Sequence, residues 1–221
     1  MMQESSPQPL SQLPKGNARF LLFDIDDTFT LDAKIHSTAL NALERWHQAG
    51  RIAVAVTGRP AGWCDHIARM WPVDGVIGEN GAFWFRYQKG TQRMERQMVG
   101  HPVPDAQLRQ KMHEIGESIL LEFPNTKISS DQPYRLYDLA VDFAEDVSGI
   151  ELLQAHQMAS RLESFGMTSK VSSIHVNAWF GQHNKCTTVR QYLSECHALD
   201  WSQQDQCVVY VGDSPNDEPL F

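Results

Sequence analysis

The stretch Phe20 to Thr30, FLLFDIDDTFT, constrains the fold more than any other segment, because it joins a continuous apolar run to a group of carboxylates. Four large apolar residues in succession suit a central parallel strand buried on both faces, and the acids begin where that strand should end. Open α/β sheets place their ligands at the carboxyl ends of strands. In extended backbone Asp24 and Asp26 point to one side and Ile25 to the other. Two carboxylates facing one space repel each other, and a divalent cation or a shared proton between them relieves the repulsion, with the Thr28 hydroxyl close by. Alone, an Asp-x-Asp is more often an acidic turn ending a strand, since Asp is common in turns.

The same junction of buried strand and polar loop recurs along the chain. Ile52 to Val56 (IAVAV) is β-branched and continuous, and Thr57, Gly58 and Arg59 follow it directly. Gly75 to Ile77 predicts a short strand leading into Gly78, Glu79, Asn80 and Gly81. Cys207 to Val211 leads into Gly212, Asp213, Ser214, Pro215, Asn216 and Asp217. Helical spacing links these strands. Leu40, Leu43 and Trp46 or His47 form one apolar face, with Ser37 or Thr38 as a cap and Gly50 as a stop. Trp63, Ile67 and Met70 form another between Pro60 and Pro72. A third helix starts near Lys185 and carries Val189, Tyr192, Leu193 and Cys196. A parallel α/β core over 19–83 and 181–221 accounts for this pattern.

From about Phe83 the buried runs give way to the alternation that an antiparallel sheet with one wet face requires, which predicts a second lobe over 84–180. Leu139, Val141 and Phe143 alternate with Asp138, Ala140 and Asp142, and Ile174, Val176 and Ala178 are spaced in the same way. Two amphipathic helices accompany them, one with Leu108, Met112, Ile115 and Ile119, the other opened by a capping box at Ser148 and Glu151. Residues 1–18 offer little to bury and read as a loose arm.

A length of 221 residues suits one core plus an inserted lobe, and a net charge of −8 with no basic block argues against nucleic acid as a partner. No apolar run has membrane-spanning length and no leader pattern opens the chain, so a cytoplasmic protein without a membrane partner is expected. Cys64, Cys186, Cys196 and Cys207 contain no CxxC pair and read as reduced thiols. The nine histidines contain no HxH or HExxH spacing, which argues against zinc and puts His175 and His183 at the surface or at caps. Trp63 and Trp71 are expected to pack.

Asp24 with Asp26, Thr57, Lys185, and Asp213 with Asp217 follow core strands or open a helix, in that order. Read as DIDDT, VTGR, NKC and GDSPND, these segments resemble the four motifs of the haloacid dehalogenase-like phosphohydrolases. The lobe between the second and third motifs, and the segment ENGA, are similar to the sugar-phosphatase-type branch with a large α/β cap, the Cof-like and sucrose-phosphatase-like proteins. The resemblance implies a Rossmann-like three-layer α/β core with a parallel sheet plus an inserted α+β cap domain. It implies Mg2+ as cofactor and a small phosphorylated substrate, such as a sugar phosphate. Asp24 would be the nucleophile that forms an aspartyl phosphate, and Asp26 the acid and base. Thr57 and Gly58 would bind phosphate, with Lys185 offsetting its charge. Asp24, Asp213 and the Asp26 carbonyl would hold the metal, supported by Thr28, Asn216 and Asp217.

Asp27 stands where the family often has glycine, so the turn is expected to differ locally. Arg59, Asn80, Arg135, His175 and Asn177 are candidates to face substrate if the cap closes over the site. Other readings are a phosphomutase of the same branch, a phospho-accepting domain of the receiver kind, which the length disfavours, and a non-catalytic binding protein. The resemblance also implies a further strand and helix after GDSPND. Only Glu218 to Phe221 follow here, so the last strand is expected at an open sheet edge, where a second copy of the chain could pair to form a homodimer.

Overall fold

The computed structural model describes residues 18–202, 207–214 and 217–220. The arm expected over 1–18 lies outside them apart from Ala18, and so does Asn216. In chain order the first part comprises β1 (Phe20–Phe23), a small hairpin of β2 (Thr30–Leu31) and β3 (Lys34–Ile35), α1 (Ser37–Gln48), β4 (Ile52–Val56), α2 (Ala61–Met70), β5 (Gly75–Gly78), β6 (Phe83–Gln88) and β7 (Arg93–Met98). The second part runs through α3 (Ala106–Glu122), β8 (Lys127–Ile128), β9 (Asp138–Asp142), α4 (Leu152–Ser164), β10 (Thr168–Val171) and β11 (His175–Trp179). The chain then returns with α5 (Lys185–His197) and β12 (Val208–Val211).

Six strands form the first sheet in the order β12-β1-β4-β5-β6-β7. Neighbours from β12 to β5 are parallel, whereas β5 to β6 and β6 to β7 are antiparallel. The apolar runs are buried on both sides as doubly covered strands require: Phe20, Leu22, Val54 and Val56 pack with Val189, Tyr192 and Leu193 of α5, and Phe23, Ala53 and Ala55 pack with Leu43, Cys64 and Ile67. One boundary differs from the sequence reading. Trp84 to Met98, placed in the second lobe, complete the first sheet as a hairpin, because alternation at Phe83 marks an antiparallel edge and not a new lobe. Cys64, Cys186 and Cys196 are free thiols, and among the described residues no helix is long and apolar enough to cross a membrane.

The second sheet, β10-β11-β9-β8, is wholly antiparallel. α3 and α4 lay Met112, Ile115, Ile119, Met158 and Leu162 over Leu139, Val141, Val176 and Ala178. Its other face is polar but not wet. Asp138, Asp142, His175 and Asn177 are all at most 2% exposed: Arg135 and Asn177 hold Asp138, Glu145 holds His175, and the N–H groups of Ala144, Glu145 and Asp146 hold Asp142. The capping box also lies three residues later than expected: Glu151 is the N-cap of α4, and the Gln154 side chain accepts from its N–H.

A tight turn after β5 fixes where α5 begins. Glu79, Asn80 and Gly81 all have positive φ, and the Gly81 carbonyl accepts from Thr188 Oγ1 at 2.6 Å. A Cβ on Gly81, whose φ is +100°, would stand 2.3 Å from the Asn184 carbonyl oxygen and 2.8 Å from the Lys185 nitrogen. Both obstacles are backbone, so Gly81→Ala should cost about 3 kcal/mol, combining backbone strain with overpacking, and should shift the first turn of α5. A urea midpoint equal to the parent's would contradict this docking.

Candidate active site

Three parallel neighbours deliver polar residues to one end of the sheet: Asp24 after β1, Thr57 after β4 and Asp213 after β12. Lys185, the first residue of α5, meets them from the side. Its Nζ donates to Asp24 Oδ1 at 2.9 Å and to Asp217 Oδ1 at 2.6 Å, and all three side chains are buried. The Tyr210 hydroxyl donates to the same Asp217 oxygen. Burial raises the Asp24 pKa from 3.8 to about 7, with Lys185 opposing and Asp217 and Asp26 adding to the rise. Burial works against the Lys185 charge, but Asp24 and Asp217 outweigh it and raise its pKa. Asp213 is exposed and accepts from Thr28 Oγ1 at 3.0 Å.

Asp24 and Asp26 both line a small cavity of about 10 Å³ between the two sheets, with Gly58, Arg59, Ser172, His175 and Asn177. Their carboxylates have different partners. Asp26 is held at both oxygens by Arg59, whose Nε and Nη2 approach to between 2.7 and 3.0 Å. Asp27, with φ 54° and ψ 7°, turns the loop back through the left-handed region. That explains how an aspartate stands where glycine is usual, since Asp is among the few other residues that adopt this conformation readily.

Arg59 also reaches the second lobe, with Nη2 2.8 Å from Glu145 Oε1 and Nη1 3.6 Å from Asp131 Oδ2. Glu145 in turn holds His175 Nε2 at 2.8 Å. The His175 bond lowers the Glu145 pKa to about 2; burial opposes this, and Arg59 adds to it. A second tie is Arg135, which is bidentate on Asp131, bonded to both Asp138 oxygens and donates to the Gly58 carbonyl at 2.9 Å. A third is Glu79, whose carboxylate accepts from the N–H groups of Ala61, Leu136 and Tyr137. The two lobes therefore meet through a buried charged layer.

Thr57 is fully buried, and its Oγ1 accepts from the Arg59 N–H at 3.0 Å. Asn80 donates through its backbone to Thr57, and Asn177 Nδ2 donates to Asp138 at 2.9 Å. His175 and His183, expected at the surface or at caps, are buried: His175 between Ser129 and Glu145, His183 stacked on Trp179 against Tyr137. Trp63 is 43% exposed with Arg59 over its ring, in place of the expected packing. Glu79, Asp131, Asp138, Glu145 and Tyr210 were not singled out from sequence. Only Glu79, inside ENGA, carried a local signal.

Among the described residues, Asp24, Asp213 and Asp217 each place a carboxylate oxygen within 4.8 Å of the others. Three hard oxygen donors beside one ammonium leave an excess of negative charge, and both features fit a divalent cation such as Mg2+. Asp217, expected only to support the metal site, is a member of this cluster, whereas the Asp26 carboxylate is paired with Arg59; the ligand expected from Asp26 is its backbone carbonyl.

Comparison with known proteins agrees with this architecture. The haloacid dehalogenase-like hydrolase family matches residues 21–106, and no curated protein matches the sequence. The C-terminal domain of trehalose-6-phosphate phosphatase from C. albicans superposes with a TM-score of 0.68 at 15% identity, covering 93% of this chain and 73% of that one. A phosphatase of the haloalkanoate superfamily from Bacteroides thetaiotaomicron gives 0.57 at 19% identity, covering 96% and 84%. The sucrose-phosphatase of a Synechocystis species, solved with sucrose and phosphate, gives 0.56 at 18% identity, covering 93% and 79%.

Proposed function

We propose, from the haloacid dehalogenase-like match over residues 21–106 and the phosphatase fold shared by most of the chain, that this protein is a phosphoric monoester hydrolase of small phosphorylated metabolites, sugar phosphates in particular, dependent on Mg2+ and acting in the cytoplasm. The observation that carries this reading is Lys185 bridging Asp24 and Asp217 at the end of the parallel sheet. That geometry gives a buried carboxylate a fixed cation beside it, as nucleophilic attack on an anionic ester requires.

Asp24 attacks phosphorus while the bond to the alcohol oxygen breaks, which leaves an aspartyl phosphate. Once the Arg59 pair opens and Asp26 has taken up a proton from water, it gives that proton to the departing oxygen, then takes one from the water that attacks phosphorus and releases Asp24. Both Asp26 oxygens are engaged by Arg59, so this pair must loosen during turnover. Thr57 and the Gly58 backbone would bind the phosphoryl oxygens, and Lys185 would balance charge on Asp24 and phosphate. Asp24, Asp213 and Asp217 would hold Mg2+, which when bound supplies positive charge against that of the phosphoryl group. The closed layer around the cavity excludes bulk water.

The test is phosphate release from a panel of sugar phosphates with Mg2+ and with a chelator. Activity should fall at least about a hundredfold on chelation and return with added Mg2+, because a cation at the transferring group supplies several kcal/mol. Equal turnover in both conditions would contradict the reading.

A further inference from the structure

Alternation along β12 puts Tyr210 on one face of the first sheet and Val209 and Val211 on the other. Val209 and Val211 are exposed, whereas the Tyr210 ring, level with Leu22 of β1, packs into the cluster that β1 and β4 make with α5. On that face its hydroxyl reaches the carboxylate bonded to Lys185, the first residue of α5. What leaves room for this is Gly212: a Cβ there would lie 2.6 Å from Asp217 Oδ2 and 2.7 Å from Tyr210 Cε1. With no side chain at 212, the phenol and the carboxylate meet over the loop backbone.

Their meeting decides which Asp217 oxygen is left for a cation. Tyr210 Oη donates to Oδ1 at 2.5 Å, and Lys185 Nζ donates to the same atom at 2.6 Å. An ionised carboxylate offers about two lone-pair sites on each oxygen, so these two short, charge-assisted bonds fill Oδ1. Among the described residues, Oδ2 receives from the Ser214 N–H and hydroxyl at 3.3 and 3.4 Å, contacts long enough for a cation to displace. Asp217 is 0% exposed, so no water-facing arrangement competes with this one. Lys185 does not fix the orientation by itself, because it is shared with Asp24 Oδ1 at 2.9 Å. A phenol, in contrast, is a neutral donor at physiological pH and adds no positive charge beside an incoming cation.

We infer that Tyr210 is a positioning residue for the metal: by occupying Asp217 Oδ1 beside Lys185, it commits Oδ2 to Mg2+. The cation itself rests on the phosphatase reading, and the test separates the two. Mg2+ alone is the probe, its dissociation constant fitted from the rise in the urea midpoint of the full chain with Mg2+ concentration. Tyr210→Phe, which keeps the ring in place, should raise that constant at least about tenfold, the usual loss when a metal ligand is deprived of its outer hydrogen bond. Tyr192→Phe removes another buried hydroxyl, one that donates to the Asp74 carbonyl away from the carboxylates. It should leave the constant within about twofold of the parent's. With a sugar phosphate as substrate, half-maximal phosphate release by Tyr210→Phe should need more Mg2+ by the same factor, while kcat at saturating Mg2+ stays within about threefold. A dissociation constant equal to the parent's, or a loss of kcat that saturating Mg2+ does not restore, would overturn the assignment. A hydroxyl that only braces the fold would lower the urea midpoint equally with and without Mg2+, and that result overturns it too. Should the parent bind Mg2+ yet hydrolyse no ester, the phosphatase reading fails while the two dissociation constants still decide the role of Tyr210. A parent that Mg2+ does not stabilise overturns that role.

Discussion

Asp24→Asn should lower phosphate release by at least about four orders of magnitude, since removing a covalent nucleophile disables all residues that act with it. The amide keeps an oxygen for Lys185 Nζ, which now donates to Asp24 Oδ1 at 2.9 Å, so the site should keep its shape while its nucleophile is gone. Circular dichroism and the urea midpoint should stay near the parent's. Labelled phosphate from substrate should be trapped on the parent after acid quench and not on the variant. Turnover within about tenfold of the parent would exclude Asp24 as nucleophile and leave Asp26, free of its guanidinium, as the alternative attacker. Chelation alone cannot make that distinction, because it acts on the charge around the phosphoryl group whichever carboxylate attacks.

What the sequence made legible is what a buried strand and its end determine. β1, β4 and β12 are apolar runs whose last residue is followed by a polar one, so the meeting of Asp24, Thr57 and Asp213 follows from parallel pairing. Asp27 stands where the resembled family often has glycine, and its φ of 54° is the reason the turn differs there. The layer between the lobes was not legible. Alternation of Asp138, Ala140 and Asp142 describes any sheet with one polar face and is silent on whether water or another sheet covers that face. The partners of Arg59 are distant in the chain and on different elements, so no spacing could name Glu145 or Asp131. Hairpin β6–β7 is hidden in the sequence for a related reason: an antiparallel edge on a parallel sheet has the same period as a separate lobe.

Arg135→Met should destabilise the protein by about 3–5 kcal/mol, the cost of leaving buried carboxylates without their cation. The Arg135 side chain is 0% exposed, and its partners Asp131 and Asp138 have 5% and 0% side-chain exposure. Methionine keeps the apolar stem and its volume but abandons both carboxylates and the Gly58 carbonyl. Burial works against ionisation of Asp131, but the Arg135 charge outweighs it and holds the carboxyl below its ordinary range. For a depressed carboxyl, the stability gained is complete above the unfolded pKa of about 3.9 and is lost as pH falls through the folded value. Without Arg135 that sign reverses for Asp131, and Asp138, whose carboxyl burial already holds above its ordinary range, is pushed further the same way, so both acids then gain by taking up protons. The deficit in unfolding free energy should therefore shrink from pH 7 to pH 4. Arg135→Met combined with Asp138→Asn should recover part of it at pH 7, as neutralising one abandoned charge requires. Urea unfolding at both pH values decides the matter: a deficit below about 1 kcal/mol, or one that grows on acidification, would mean that the charged layer does not hold the lobes together.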